Sequence, residues 1–246
     1  MANHDVVVIG LGEVGQPLFE LIQQNHSVIG IDLEPVVTDR GCSILHICYP
    51  FSDRFVGITV KYIQQHCPDL TIINSTVAPG TTRTIQRHTG RSVVYSPVRG
   101  KHFKMKRDLL HYTKFIGSSD AAAAHKASEH FESLGMKTKV LSSAEAAELA
   151  KLTETTYFGL LIAWAQEVER YCIRLDASYD EVVSFYEEVP FLPRVKYEPG
   201  FIGGHCVMPN IGILKKMFDS ELLDMIVSSN ETKSRSDILQ AAAGDR

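Results

Sequence analysis

Asp5-Val6-Val7-Val8-Ile9-Gly10-Leu11-Gly12-Glu13-Val14-Gly15 decides the fold of this chain. Val6 to Ile9 is apolar and β-branched throughout, which reads as a strand buried on both faces of a parallel sheet. Three glycines follow in the spacing G-x-G-x-x-G, and then a helical pattern with Leu18, Leu21 and Ile22 on one face. Ser27-Val28-Ile29-Gly30-Ile31-Asp32 is a second strand that ends in an acid. In this setting the first glycine permits a tight turn, the second lets the backbone approach a pyrophosphate, and the third lets the helix pack closely on the sheet. The pyrophosphate sits at a helix N-terminus, where unpaired N–H groups and the dipole favour an anion. Gly10, Leu11, Gly12, Glu13, Val14 and Gly15 are therefore the expected cofactor-binding residues. Asp32 lies about 20 residues on, where an acid binds a ribose 2′-hydroxyl. It would repel a 2′-phosphate, and no arginine directly follows it, so NAD is expected rather than NADP. A flavin-binding or cofactor-free version of the same fold is the alternative.

Outward from this unit, strands and helices alternate. Strands are expected at Gly41 to Pro50, Leu70 to Ser75, Ser92 to Pro97, Lys114 to Gly117 and Thr138 to Leu141. Helices are expected over Asp53 to Cys67, after the turn Thr76 to Thr82, and over the alanine-rich Asp120 to Leu134. Alternation of this kind gives a doubly wound, mostly parallel Rossmann-type sheet in an α/β fold. Ligands bind such sheets beyond the carboxyl ends of the strands, where Thr76 and the stretch Ser96 to Arg99 fall.

After Ser143 the pattern changes. Ala144 to Leu175 has no proline and no strand period, and reads as one helix of about thirty residues, roughly 45 Å long. Glu148, Lys151 and Thr155 share one of its faces. A second helix is expected over Ser178 to Glu188 and another over Asn210 to Asn230, with a polar, frayed tail after Thr232. The expected division is a dinucleotide-binding domain over 1–143 and an all-helical domain over 144–246 built on the long central helix. Between the helices lies Pro199-Gly200-Phe201-Ile202-Gly203-Gly204-His205-Cys206. A cysteine held in a glycine-rich loop beside a histidine can be an activated thiolate; the plainer reading is a turn with a bystander thiol.

Composition excludes several classes. The 246 residues carry 44% hydrophobic and 22% charged residues with a net charge of -4, as a globular protein does, and no basic run suggests nucleic acid. No run of about 18 apolar residues suggests a membrane span, and no apolar signal core opens the chain. Cys42, Cys48, Cys67, Cys172 and Cys206 are odd in number, and none forms a C-x-x-C pair. That pattern suits reduced thiols in a cytoplasmic protein and no metal site.

Taken in order, the motifs resemble those of the UDP-glucose/GDP-mannose dehydrogenase family, above all its UDP-N-acetyl-mannosamine branch. The resemblance rests on Gly10 to Leu18, on Ser75-Thr76-Val77-Ala78-Pro79-Gly80-Thr81-Thr82, on Glu148-Leu149-Ala150-Lys151, on Gln166-Glu167 and on Pro199 to Cys206. It implies oxidation of a sugar-nucleotide primary alcohol in two steps to the carboxylate, with NAD. Carried over, Cys206 captures the aldehyde as a thiohemiacetal, Lys151 stabilises the oxyanion, and Thr76 lies near the nicotinamide with Ser75 beside it. Arg99, Thr155, Gly203, Gly204, His205 and Asn210 fall at substrate-binding positions. The long helix forms a dimer core in the family, which implies a homodimer.

Three positions depart from the family pattern. Val98 stands where S-P-E has its glutamate, Thr155 where an asparagine follows the lysine, and Asn210 where an aspartate follows the cysteine. The segment from Asp32 to Thr76 is shorter than in the family. The chain also stops soon after Ser229-Asn230-Glu231, where the family continues into a second nucleotide-gripping domain. The expected substrate is accordingly a nucleotide sugar or a smaller molecule, with a companion chain as one source of the missing surface. Two other readings stay open: a β-hydroxyacid-type dehydrogenase that uses Lys151 without the cysteine, and an NAD-binding module impaired in turnover.

Overall fold

The computed structural model describes residues 5–32, 41–100, 104–191 and 197–244. Two compact units divide the chain, Met1–Lys151 and Leu152–Arg246.

The first unit is an α/β sandwich of the Rossmann type. Its elements run β1 (Val6–Ile9), α1 (Gly15–Ile22), β2 (Val28–Ile31), β3 (Ile44–Ile47), α2 (Phe55–His66), β4 (Leu70–Ile73), α3 (Thr81–Thr89), β5 (Val93–Tyr95), α4 (Met105–His111), β6 (Lys114–Gly117), α5 (Ala121–Ser133) and β7 (Thr138–Leu141). The strands lie in the order β2-β1-β3-β4-β5-β6-β7. Strands β2 to β5 run parallel, in a register that aligns Ile31, Ile9, Ile47, Ile73 and Tyr95 across the sheet. β6 then meets β5 antiparallel, and β7 runs parallel to β6.

The apolar run of β1 is explained by its two buried faces. Val6 and Val8 enter one core with Leu18, Leu21 and Ile22 of α1 and Phe131 of α5. Val7 and Ile9 enter the other with Phe55, Ile63 and Ile85 from α2 and α3. Each such side chain is worth about 1.5–3 kcal/mol when fully buried. The chain steps from β1 to β2 on one side and then to β3 on the other, so the switch point that opens a ligand crevice lies beyond Ile9 and Ile47.

The long helix α6 (Ala144–Leu175) is the one expected, residue for residue. Its first turns belong to the sheet unit, with Ala144 and Ala147 in the second of the two cores. The second unit carries the rest of α6 with α7 (Tyr179–Glu187), α8 (Val207–Lys215) and α9 (Glu221–Gly244). Leu152 and Ala163 of α6 pack there with Ile211 and Leu214 of α8 and Leu223 and Ile226 of α9.

Three local expectations are corrected. Asn210 to Asn230 is two helices, broken before Asp219 and Ser220, whose side chains compete with helical backbone. α9 restarts after them, with Ser220 O accepting from Asp224 N at 3.2 Å. The stretch after Thr232 continues α9 to Gly244 instead of fraying, in keeping with its alanines and leucine. α4, which the sequence pattern did not announce, lies between β5 and β6.

Candidate functional site

The loop between β1 and α1 meets each demand placed on its glycines. Gly10 has φ +88°, and a Cβ on it would stand 2.8 Å from Tyr49 N. A Cβ on Gly15 would stand 1.7 Å from Gly10 O, so the helix can start this close to the turn only with glycine there. At Gly12 a Cβ would meet nothing within 4 Å, which leaves that face of the backbone open to a ligand. No side chain caps the N-terminus of α1, and no acid occupies its first turn. The first N–H groups of that helix therefore suit an anion. Asp32 is exposed past the end of β2, and its Oδ1 accepts from Leu11 N at 3.4 Å. Open backbone, uncapped helix start and a carboxylate one strand over together fit a dinucleotide.

The other edge residues of this unit are placed by hydrogen bonds. Ser75 is buried, and its hydroxyl donates to Tyr49 O at 2.6 Å, which ties the end of β4 to the loop after β3. Thr76 follows, half-buried. Val98 is 8% exposed and belongs to the core, so a hydrocarbon fills the position where the family has a carboxylate. Arg99 is half-buried, with its guanidinium 5.6 Å from the ring centres of both Tyr112 and Phe115.

Glu148 has a part that the sequence did not reveal. α3 has no side-chain cap of its own; Glu148 supplies one from α6. Gly80 N donates to Oε2 at 2.6 Å, while Thr82 N and Thr82 Oγ1 donate to Oε1 at 2.9 and 2.6 Å. Burial raises the pKa of this carboxyl, and the donors from Thr82 and Gly80 partly offset the rise. Lys151, one turn further along α6, closes the first unit.

The cysteine loop lies in the second unit. Asn230 of α9 clamps it, accepting from Ile202 N at 2.7 Å and donating to Ile202 O at 3.0 Å. Gln166 of α6 donates to Gly200 O at 2.8 Å. Both clamps are buried. The loop ends in Gly203, Gly204 (φ +77°), His205 and Cys206, all exposed, with Cys206 at the N-cap of α8. Gly203 and Gly204 line a cavity of about 600 Å³ with Phe201, Met208, Asn230 and Arg235. α8 approaches α6 closely at Gly159, where a Cβ would stand 2.6 Å from Val207 Cγ1.

Two of the departing positions meet. Asn210 is 5% exposed, and its Nδ2 donates to Thr155 Oγ1 at 2.9 Å. Within each unit, then, the structure joins Leu11 to Asp32 and Thr155 to Asn210, and sets Gly203 and Gly204 beside one cavity. Gln166, Asn230 and Glu148 are the residues that sequence reasoning left without a structural part. For Glu148 and Gln166 the sign was the similarity of Glu148-x-x-Lys151 and Gln166-Glu167 to family motifs; Asn230 lies in neither motif. Among the described residues no group of acids, histidines and cysteines could hold a metal ion, and no helix is long and apolar enough to cross a membrane.

Comparison with known proteins gives the geometry a context. Residues 145–232 match the model of the UDP-glucose/GDP-mannose dehydrogenase family, central domain. The UDP-N-acetyl-D-mannosamine dehydrogenase of Pyrococcus horikoshii is 31% identical over 82% of this chain and 62% of its own. The enzyme of that name from Methanocaldococcus jannaschii is 30% identical over 56% of this chain and 33% of its own. A solved structure of a UDP-D-ManNAc dehydrogenase from Pyrococcus horikoshii superposes with a TM-score of 0.83 at 20% identity, covering 98% of this chain and 72% of that one. The chain spans between 33% and 62% of the length of these two curated relatives.

Proposed function

Since the chain belongs to the UDP-glucose/GDP-mannose dehydrogenase family, we propose that it is an NAD-dependent dehydrogenase acting on an alcohol carbon of a nucleotide sugar. The observation that carries this reading is the cysteine loop, with Cys206 exposed at the head of α8 while Asn230 and Gln166 lock the backbone behind it.

Gly10 to Gly15 and Asp32 hold the cofactor in this reading, with Ser75 and Thr76 at the end of β4, two strands from β1. NAD, when bound, supplies the hydride acceptor. The Cys206 thiolate adds to an aldehyde carbon; a C–S bond forms and the carbonyl π pair moves onto oxygen. Lys151 stabilises that oxyanion. The tetrahedral carbon again carries a hydrogen that can leave as hydride, and its loss leaves a thioester on Cys206. Arg99, Thr155, Gly203, Gly204, His205 and Asn210 form the substrate side. Val98 is in the core and Asn210 bonds Thr155, so neither directs water at the thioester. Without such a base, hydrolysis should be slower by roughly 10²–10⁴. The thioester therefore waits for slow water or for another nucleophile.

We further infer a homodimer through α6 in a reducing compartment such as the cytoplasm. Tyr157, Trp164 and Tyr171 recur every seven residues on α6 and are 55%, 51% and 46% exposed, a seam suited to a second copy of itself. A companion chain is the other source of substrate-gripping surface. Incubation with NAD and UDP-N-acetylmannosamine, against a panel of hydroxy acids, tests the function. NADH formed by the native chain and abolished in Cys206→Ser is expected. Activity on a β-hydroxyacid that survives Cys206→Ser would shift the assignment to chemistry on Lys151 alone. Tight NAD binding with no NADH from any alcohol would leave only a cofactor-binding module.

A further inference from the structure

A buried polar chain crosses the sheet unit, and no role assigned above uses it. It begins at Lys114, the first residue of β6, which is 3% exposed. Its Nζ donates to Asn74 Oδ1 at 3.1 Å, Ser96 O at 2.7 Å and Pro97 O at 3.0 Å. A lysine can only donate, so the Asn74 oxygen must face it and the Asn74 amide must face away. That amide lies 3.0 Å from His46 Nδ1, which must accept. His46, kept neutral by burial, then carries its proton on Nε2 and donates to His130 Nε2, 2.9 Å away. Lys114 thus sets the direction of every bond as far as His130.

Three oxygens around one nitrogen match an ammonium. A neutral amine has two N–H groups and would leave one oxygen unpaired. The surroundings disfavour the charge. Burial above all, together with the charge of Lys151, lowers the lysine to about 7; Cys48 would act the other way only as a thiolate. The remaining neighbours bring no charge near neutrality. Burial pushes the Cys48 thiol up to about 12 and His130 down to about 3, and the Phe131 ring centre lies 5.0 Å from Nζ.

What Lys114 holds is the segment after β5. Ser96 Oγ donates to Phe115 O at 2.7 Å, and the Arg99 guanidinium lies over the Phe115 and Tyr112 rings. The start of β6 therefore grips Ser96 and Pro97 from one residue and Arg99 from the next. We propose that Lys114 is a positioning residue of the dehydrogenase site: its ammonium gathers the Asn74, Ser96 and Pro97 oxygens and so fixes the turn that presents Arg99 to an anionic substrate. This rests on the reading of Arg99 as a substrate-side residue. As the proton leaves above neutrality one of the three bonds is lost and the turn loosens. KM for the substrate then rises with pH by this route, and kcat, set by other residues, follows its own pH profile whether or not Lys114 is present.

The test uses the full chain. With lysines labelled at ¹³Cε, the resonance that disappears in Lys114→Arg should titrate between about pH 6 and 8, against about 10.4 for an ordinary lysine. Hydrogen exchange of the amides of Ser96, Val98, Arg99 and Gly100, corrected for intrinsic rate, should speed up roughly tenfold from about pH 6 to 9. With NAD and UDP-N-acetylmannosamine, KM should rise by a similar factor over that range, and Lys114→Arg, which keeps its charge, should flatten the rise in KM while leaving the pH profile of kcat unchanged. A lysine that titrates near its ordinary value, unchanged protection of 96–100, or a pH-independent KM overturns the proposal and leaves the dehydrogenase reading standing. Absence of NADH with every substrate fails that reading and removes the proposal with it, whatever the lysine resonance does.

Discussion

Asn210 Nδ2 donates to Thr155 Oγ1 at 2.9 Å, and Thr155 Oγ1 in turn donates to Leu152 O at 2.9 Å. The two positions at which this chain departs from its family around the cysteine and the lysine are thus one hydrogen-bonded pair. Asparagine and threonine carry no proton-accepting carboxylate, and here the amide donates to the hydroxyl and the hydroxyl to a helix carbonyl. A rapid burst of NADH per Cys206 is expected, followed by a slow steady phase. Thr155→Asn combined with Asn210→Asp should raise the slow phase at least about tenfold, and added hydroxylamine should raise it in the native chain. Rapid-mixing absorbance of NADH reads both; one linear phase insensitive to either change would remove the thioester from the scheme.

Gly12 and Gly15 should respond in opposite ways to the same methyl group. Gly12→Ala places its Cβ in open space, so the fold should lose under about 0.5 kcal/mol while NAD affinity falls at least about tenfold. Gly15→Ala drives a Cβ to 1.7 Å from a backbone oxygen that cannot move aside, and should cost about 3 kcal/mol or more. Urea unfolding and calorimetric titration with NAD separate the two. A destabilised Gly12→Ala that still binds NAD normally would contradict the assignment.

Glu148→Ala should behave as a structural lesion with a catalytic echo. Removal of the carboxylate strips Gly80 N, Thr82 N and Thr82 Oγ1 of their acceptor at the start of α3. Roughly 3 kcal/mol is expected, a fall in Tm of about 6–12 °C, with about half that loss in Glu148→Gln, which keeps one oxygen. Thermal melts of the three proteins decide it, and equal melting temperatures would show that the cap carries no weight.

Acid should weaken the sheet unit through its histidines. His130 is held down to about 3 by burial, against 6.5 in the unfolded chain. A group with a depressed folded pKa binds more protons unfolded, so its contribution is complete above about 6.5 and is lost as pH falls toward 3. Over the whole window this is at most roughly 5 kcal/mol. Urea midpoints at a series of pH values should fall through this range, and fall less steeply in His130→Gln. Parallel curves for the two proteins would place the acid sensitivity elsewhere.

The sheet was legible because its strands state their own burial. Val6 to Ile9 is apolar without alternation and Leu70 to Ile73 is interrupted only by Thr71, and both strands are buried along their whole length. α6 was legible end to end because nothing in it breaks a helix. α4 was missed because seven residues give too little period to read, and the break before Ser220 because apolar residues continue on both sides of it. At the site, glycine spacing and the P-G-x-x-G-G-H-C match picked out the loops. The residues that lock those loops were hidden, since Asn230 and Gln166 act on backbone atoms more than thirty positions from Gln166 and twenty-eight from Asn230, a pairing that exists only once the helices have packed. Lys114 was hidden more deeply, since a lysine that opens a strand ordinarily reads as solvated.

Gly159 sets a distance and carries no chemistry of its own. It is the one residue of α6 whose missing side chain sets how near Val207 can come, and Val207 is the first residue after Cys206. A methyl group at 159 would stand 2.6 Å from Val207 Cγ1, so either that side chain or the head of α8 must give way. Position 159 therefore works as a spacer on which the seating of the residue after Cys206 depends. Enlarging it offers a way to retune which carbon of a bound molecule the sulfur can meet.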